Sequence, residues 1–83
     1  MVSNLEKLKK VFAEALDLKL ETINDELSYG AKNWDSIAHL ALIASLENEF
    51  DIMLASDDVI DMSSFKKAKE ILTKYDIKFE SWR

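Results

Sequence analysis

The 83-residue sequence has no cysteine and no proline, and its single glycine is Gly30. Without thiols there can be no disulfide, no thiolate metal site and no cysteine nucleophile. Without proline, and with Leu, Ala, Lys and Glu abundant, little interrupts a helix and tight turns are scarce, so the composition favours helices. No apolar run approaches the roughly 20 residues that span a bilayer. The charged, amphipathic start, MVSNLEKLKKVF, lacks an apolar signal-peptide core, so a cytoplasmic protein without membrane insertion is expected. Lys and Arg are missing altogether from residues 35–62, which carry seven acids: Asp35, Glu47, Glu49, Asp51, Asp57, Asp58 and Asp61. An all-acidic middle third repels a phosphate backbone and attracts basic protein surfaces, which argues against nucleic acid as a partner.

What is present suffices for one small domain. Chains of this size bury only about 60–65% of their unfolded surface, so the core must pack efficiently. Apolar residues make up 48% of the chain and charged residues 33%, enough for both an interior and a wet exterior. Leu5, Leu8, Phe12 and Ala15 recur at helical spacing, with Leu16 beside them and Ser3 or Asn4 available as a cap. Residues 17–34 hold no sustained period; Leu18, Leu20, Ile23, Leu27 and Tyr29 are spaced as anchors of a long ordered loop with one helical turn. Eighteen residues exceed the usual loop length, which points either to function or to an element that the spacing does not show.

A second helix is predicted from the stretch KNWDSIAHL to about Phe50. Its first half, IAHLALIA, is apolar nearly all round, more than so small a domain can bury, so part of it should serve a partner or ligand. SDDVIDM predicts a short helix capped by Ser56. SSFKKAKEILTKY predicts a last one, capped by Ser63 or Ser64, with Phe65, Ala68, Ile71, Leu72 and Tyr75 as the buried stripe. The tail, 76–83, reads as extended or frayed. The expected fold is an all-α four-helix bundle, three main helices plus one short helix, in a single domain with its core in about 4–75.

The chemistry turns on Ser36. Asp35 or Ser36 can cap the second helix, with Trp34 packed ahead of it as a staple. Ser36 and His39 share a helix face, but no third group or G-x-S-x-G turn completes a hydrolase. Asp35 and His39 are only two potential ligands, and DDVID lacks calcium-loop spacing, so no metal is expected. A serine at a helix N-terminus also suits a phosphate ester, because unpaired N–H groups and the positive dipole end converge there.

DSIAHLALIASLENEFDI, followed in register by SDDVIDMSSFKKAKEIL, resembles the acyl carrier protein family over roughly residues 4–75. The resemblance implies a bundle that is not an enzyme, with 4′-phosphopantetheine attached to Ser36 from coenzyme A by a phosphopantetheinyl transferase. Acyl or aminoacyl thioesters would ride on that arm between loading and transferring enzymes. It places Asp35 beside the phosphate, and makes Ile37, His39, Leu40, Glu47, Asp51, Asp57 and Asp58 candidate partner contacts. A free-standing monomer is expected. Cargo would be either sequestered among Leu42, Ile43, Leu46, Ile60 and Ile71 or left exposed; as ordinary core, most of these need no cargo. Fatty-acid carriers usually place acids where this chain has Ala38 and Ala41, which points to a specialised pathway rather than housekeeping fatty-acid synthesis. The competing expectation is a small helical interaction module without a prosthetic group, docking through its apolar second helix.

Overall fold

The computed structural model describes residues 3–31 and 33–79. Among them are four helices and no strand: α1 (Asn4–Leu16), α2 (Ser36–Phe50), α3 (Ser56–Asp61) and α4 (Phe65–Thr73). Three main helices and one short one match the bundle expected from the periodicities.

Helix α1 starts in a reciprocal capping box. The Ser3 side chain accepts from the Glu6 N–H, and the Glu6 carboxylate accepts from the Ser3 N–H, so two donors at the helix end are satisfied together. Leu8, Val11, Phe12 and Leu16 form its buried face. The helix stops where Asp17 turns left-handed (φ 55°), and Asn33 donates from Nδ2 to the Leu16 carbonyl at 2.8 Å. Asn33 therefore ties the residues just ahead of α2 to the end of α1.

The long connection is ordered, as its anchors suggest, and contains one 3-10 turn, Leu20–Thr22. Ile23 and Leu27 are buried, Leu18 packs against the core, and the half-exposed Tyr29 meets the buried Trp34 ring edge-to-face, whereas Leu20 is exposed and does not pin the loop. Backbone pairing adds to these anchors. The Tyr29 N–H donates to Ser63 and the Phe65 N–H to Leu27, an isolated antiparallel bridge joining this loop to the entry of α4. Gly30 sits at φ +92°, the one place here where the missing Cβ is needed, and its N–H reaches the Trp34 carbonyl at 2.9 Å.

Helix α1 packs along α2, and the centre is aromatic. The Phe12 ring meets Trp34 at 5.4 Å and Phe65 at 5.0 Å, both edge-to-face, the arrangement favoured by ring quadrupoles. Helix α4 begins at Ser64, whose hydroxyl accepts from the Lys67 N–H, and buries Phe65, Ala68, Ile71 and Leu72 as expected. Ser56 does not cap α3: the N-cap is Ala55, which has no side-chain acceptor. Its N–H donates to the Tyr75 hydroxyl, so a tertiary contact fixes the residue that enters α3 while the first turn has no side-chain cap. The core also reaches past residue 75, because Phe79 is buried and Asn4 donates to the Lys78 carbonyl. The remainder of the expected tail lies outside the described residues.

Candidate functional site

The start of α2 divides capping from exposure. Asp35 is the N-cap, its Oδ1 accepting from the Ala38 N–H at 2.8 Å. Ser36 is then the first helical residue; it is exposed, and the cap does not need its hydroxyl. Trp34, immediately before, is buried and fixes the entry angle of the helix from inside the core. The sequence thus places an anchored indole, a capping carboxylate and a free-standing hydroxyl on three consecutive residues.

His39, one turn along, is held from both sides. The Trp34 indole Nε1–H donates to His39 Nδ1 at 3.0 Å, with the ring planes 23° apart. An indole nitrogen can only donate, so Nδ1 must be the acceptor and the ring proton lies on Nε2. Nε2 lies 2.8 Å from the Val59 carbonyl in α3 and donates to it. Tyr29 meets the imidazole edge-to-face at 5.6 Å. His39 is therefore an internal tie from the core tryptophan to α3, and neither ring nitrogen is left over for a partner protein. Spacing alone showed it to share a face with Ser36, but a carbonyl 20 residues downstream has no sequence signal.

The acids also separate. Asp51, Asp57, Asp61 and Glu49 are exposed. Asp58, expected to face a partner, is buried: Lys74 Nζ lies 2.6 Å from Oδ1, and the Tyr75 hydroxyl donates to Oδ2. It is a structural acid that joins α3 to the end of α4. Glu47 is half-buried, and its Oε2 accepts from the Leu54 N–H, bracing the α2–α3 connection. An i, i+4 wheel cannot reveal either role, because both partners lie outside the acid's own helix.

The Lys74 ammonium beside Asp58, with the Tyr75 hydroxyl, holds the Asp58 carboxyl below the ordinary carboxylate range. The same pair raises Lys74 above its usual value, chiefly through the hydrogen bond to Asp58. A carboxylate with a depressed folded-state pKa stabilises the fold above its ordinary value near 4 and loses that contribution as pH falls further. For Lys74 the sign reverses, and the contribution fades only as pH climbs past about 10.4. Thermal melts of Asp58→Asn and wild type are expected to differ by a constant gap at neutral pH that closes below about pH 4. A gap independent of pH down to acid unfolding would show that the ionised carboxylate is not what stabilises the fold.

The surface around Ser36 is apolar rather than acidic. Ile37 is 79% exposed and Leu40 67%, and Ala41 and Ala44 continue the stripe. Of the five residues considered for sequestering a cargo, Leu42, Ile43, Leu46 and Ile71 are tightly buried core, whereas Ile60 is 77% exposed. Between α2, α3 and the long loop lies a pocket of about 240 Å³ lined by Tyr29, His39, Val59, Ile60, Met62 and Ser63. No group of His, Cys, Asp and Glu suited to a metal ion occurs among the described residues.

Ser36 is thus exposed at the head of a core-anchored helix, in a four-helix bundle whose short third helix is acidic. Known proteins resemble this chain along most of its length. The chain is 32% identical over 77 residues to the acyl carrier protein of Buchnera aphidicola subsp. Acyrthosiphon pisum (strain Tuc7), an alignment covering 88% of this chain and 92% of the relative. It is 32% identical over 76 residues to that of Buchnera aphidicola subsp. Baizongia pistaciae (strain Bp), covering 89% and 97%. With that of Buchnera aphidicola subsp. Schizaphis graminum (strain Sg) the identity is 30% over 69 residues, covering 81% and 87%. No family model matches the chain. The chain belongs to the acyl carrier protein family. It is a carrier rather than an enzyme.

Proposed function

We propose that Ser36 is the attachment point for 4′-phosphopantetheine, transferred from coenzyme A by a separate phosphopantetheinyl transferase. The chain then carries acyl or aminoacyl thioesters between enzymes of a dedicated pathway. The observation that carries this reading is the exposed Ser36 hydroxyl at the first position of α2, with the capping task given to Asp35. The residues fit the group. A phosphodiester on Ser36 would lie at the positive end of a 15-residue helix, where the dipole favours negative charge. Asp35 would stand beside it, and the apolar Ile37 and Leu40 leave the approach unobstructed. The arm supplies the thiol that this cysteine-free chain lacks.

A dedicated pathway is supported by the exposed Ile37–Leu40–Ala41–Ala44 stripe, which offers a partner contact area rather than charge. The exposed acids Glu49, Asp51, Asp57 and Asp61 are not part of that stripe and would steer encounter. Incubation with coenzyme A and a broad-specificity transferase, followed by intact-mass and peptide mass spectrometry, is expected to give a single phosphopantetheinyl increment on the peptide containing Ser36. An unmodified chain, under conditions that prime a control carrier, would sink the proposal.

The same stripe distinguishes the competing interaction-module reading. Leu40→Asp alters an exposed position and is expected to leave the melting temperature close to wild type, unlike Leu42→Asp, which strikes a fully buried one. On the carrier reading Leu40→Asp slows loading by its partner enzymes at least several-fold, measured as acyl-carrier formed per minute. Unchanged loading would remove the stripe from the docking surface.

A further inference from the structure

We infer that His39 sets the size of the cargo, confining it to a short acyl group seated in the pocket between Tyr29 and Ile60. The inference rests on the attachment of the arm at Ser36. The pocket begins one helical turn from Ser36, since His39 forms part of its wall and residues three apart share a face. Val59, Ile60 and Met62 make most of that wall apolar, while Tyr29, His39 and Ser63 bring polar groups to it. At about 240 Å³ it falls below the 300–1,000 Å³ usual for ligand pockets, so it suits a few-carbon chain and excludes a long one.

A longer chain would have to pass between α2 and α3 into the interior, and that route is closed. The relay from Trp34 Nε1 through His39 to the Val59 carbonyl spans the two helices at this point. His39 cannot swing aside freely. Trp34 is 1% exposed, and its indole N–H would be left buried and unpaired once the imidazole moved. Behind the relay, Leu42, Leu46 and Met62 are at most 1% exposed and belong to the same buried core as Phe65, Ala68 and Leu72 of α4. The tie thus protects a close-packed core and leaves the outer pocket as the cargo's seat.

The test uses the intact chain, loaded at Ser36 from butyryl- or palmitoyl-coenzyme A and checked by mass spectrometry before any other measurement. Absence of a mass gain would overturn the attachment at Ser36 and the inference with it. On loaded protein the readouts are methyl and imidazole NMR shifts and the melting temperature. The butyryl form is expected to shift Ile60, Val59 and His39 signals and to melt above the form carrying the bare arm. The palmitoyl form is expected to leave Leu42 and Leu46 methyls in place and to gain no melting temperature. In His39→Ala the palmitoyl form should move Leu42 and Leu46 and melt higher than its own bare-arm form. His39→Phe keeps a ring in place and removes both hydrogen bonds, and so guards against a folding defect in the alanine variant. With priming intact, a palmitoyl chain that moves Leu42 and Leu46 in wild type would overturn the role of His39. The same chain-length preference in wild type and both variants would overturn it equally.

Discussion

Ser36→Ala is expected to abolish prosthetic-group loading completely while leaving folding stability within about 0.5 kcal/mol of wild type. The two halves of that result come from different atoms. Loading needs the hydroxyl oxygen, and alanine has none. Stability at the start of α2 depends on Asp35, whose carboxylate accepts from the Ala38 N–H, and Ser36 is exposed. The converse substitution separates the roles. Asp35→Ala removes the cap and should cost about 1 kcal/mol, or roughly 4–8 °C in melting temperature for a domain of this size, while the Ser36 hydroxyl remains. Intact mass after transferase treatment, with circular-dichroism melts on the same samples, reads both effects. If Ser36→Ala unfolded the chain, or still gained the prosthetic group, the attachment site would have to be sought elsewhere.

Trp34→Ala should have the largest effect on stability of any single change near the site. Truncating a buried aromatic costs about 3–5 kcal/mol through lost transfer energy and the cavity left behind. Domains as a class are stable by only about 5–15 kcal/mol, so much of the total is at stake. Trp34 is 1% exposed, packs edge-to-face on Phe12, and donates to His39. Its loss therefore empties the core beneath α2 and removes the His39 partner together. Trp34→Phe divides these contributions, keeping a ring against Phe12 while deleting the N–H, and should cost markedly less than alanine. Urea titrations by circular dichroism are expected to show the midpoint falling in the order wild type, phenylalanine, alanine, with little change in slope. A Trp34→Ala midpoint within experimental error of wild type would refute the anchoring role.

The helices were legible because their signals are local. Apolar residues at three- and four-residue spacing announced α1, α2 and α4, and short polar residues narrowed each cap to two neighbours, of which the fold uses Ser3 rather than Asn4, Asp35 rather than Ser36 and Ser64 rather than Ser63. The α1 capping box is equally local, an S-x-x-E formed by Ser3 and Glu6. Ser56 misled for the complementary reason. A cap-forming residue stood where one was wanted, but the helix starts at Ser56 itself, with Ala55 at the cap position and held by the Tyr75 hydroxyl 20 residues away.

For the site, the family resemblance marks Ser36 as the proposed attachment point, and the sequence by itself determined that serine's setting. Ser36 is the hydroxyl at the head of an over-apolar helix, Asp35 precedes it, and no cysteine or second catalytic group competes. Those are matters of composition and spacing, which a chain carries unfolded. Only the tertiary structure decided which neighbours face outward. Asp58 looked like Asp57 and Asp61 until Lys74 and Tyr75 closed on it. His39 looked like a surface residue until Trp34 and the Val59 carbonyl took its two nitrogens. Hydrogen bonds across 16 to 20 residues depend on how helices are placed against one another, and that placement is set by packing of the whole core.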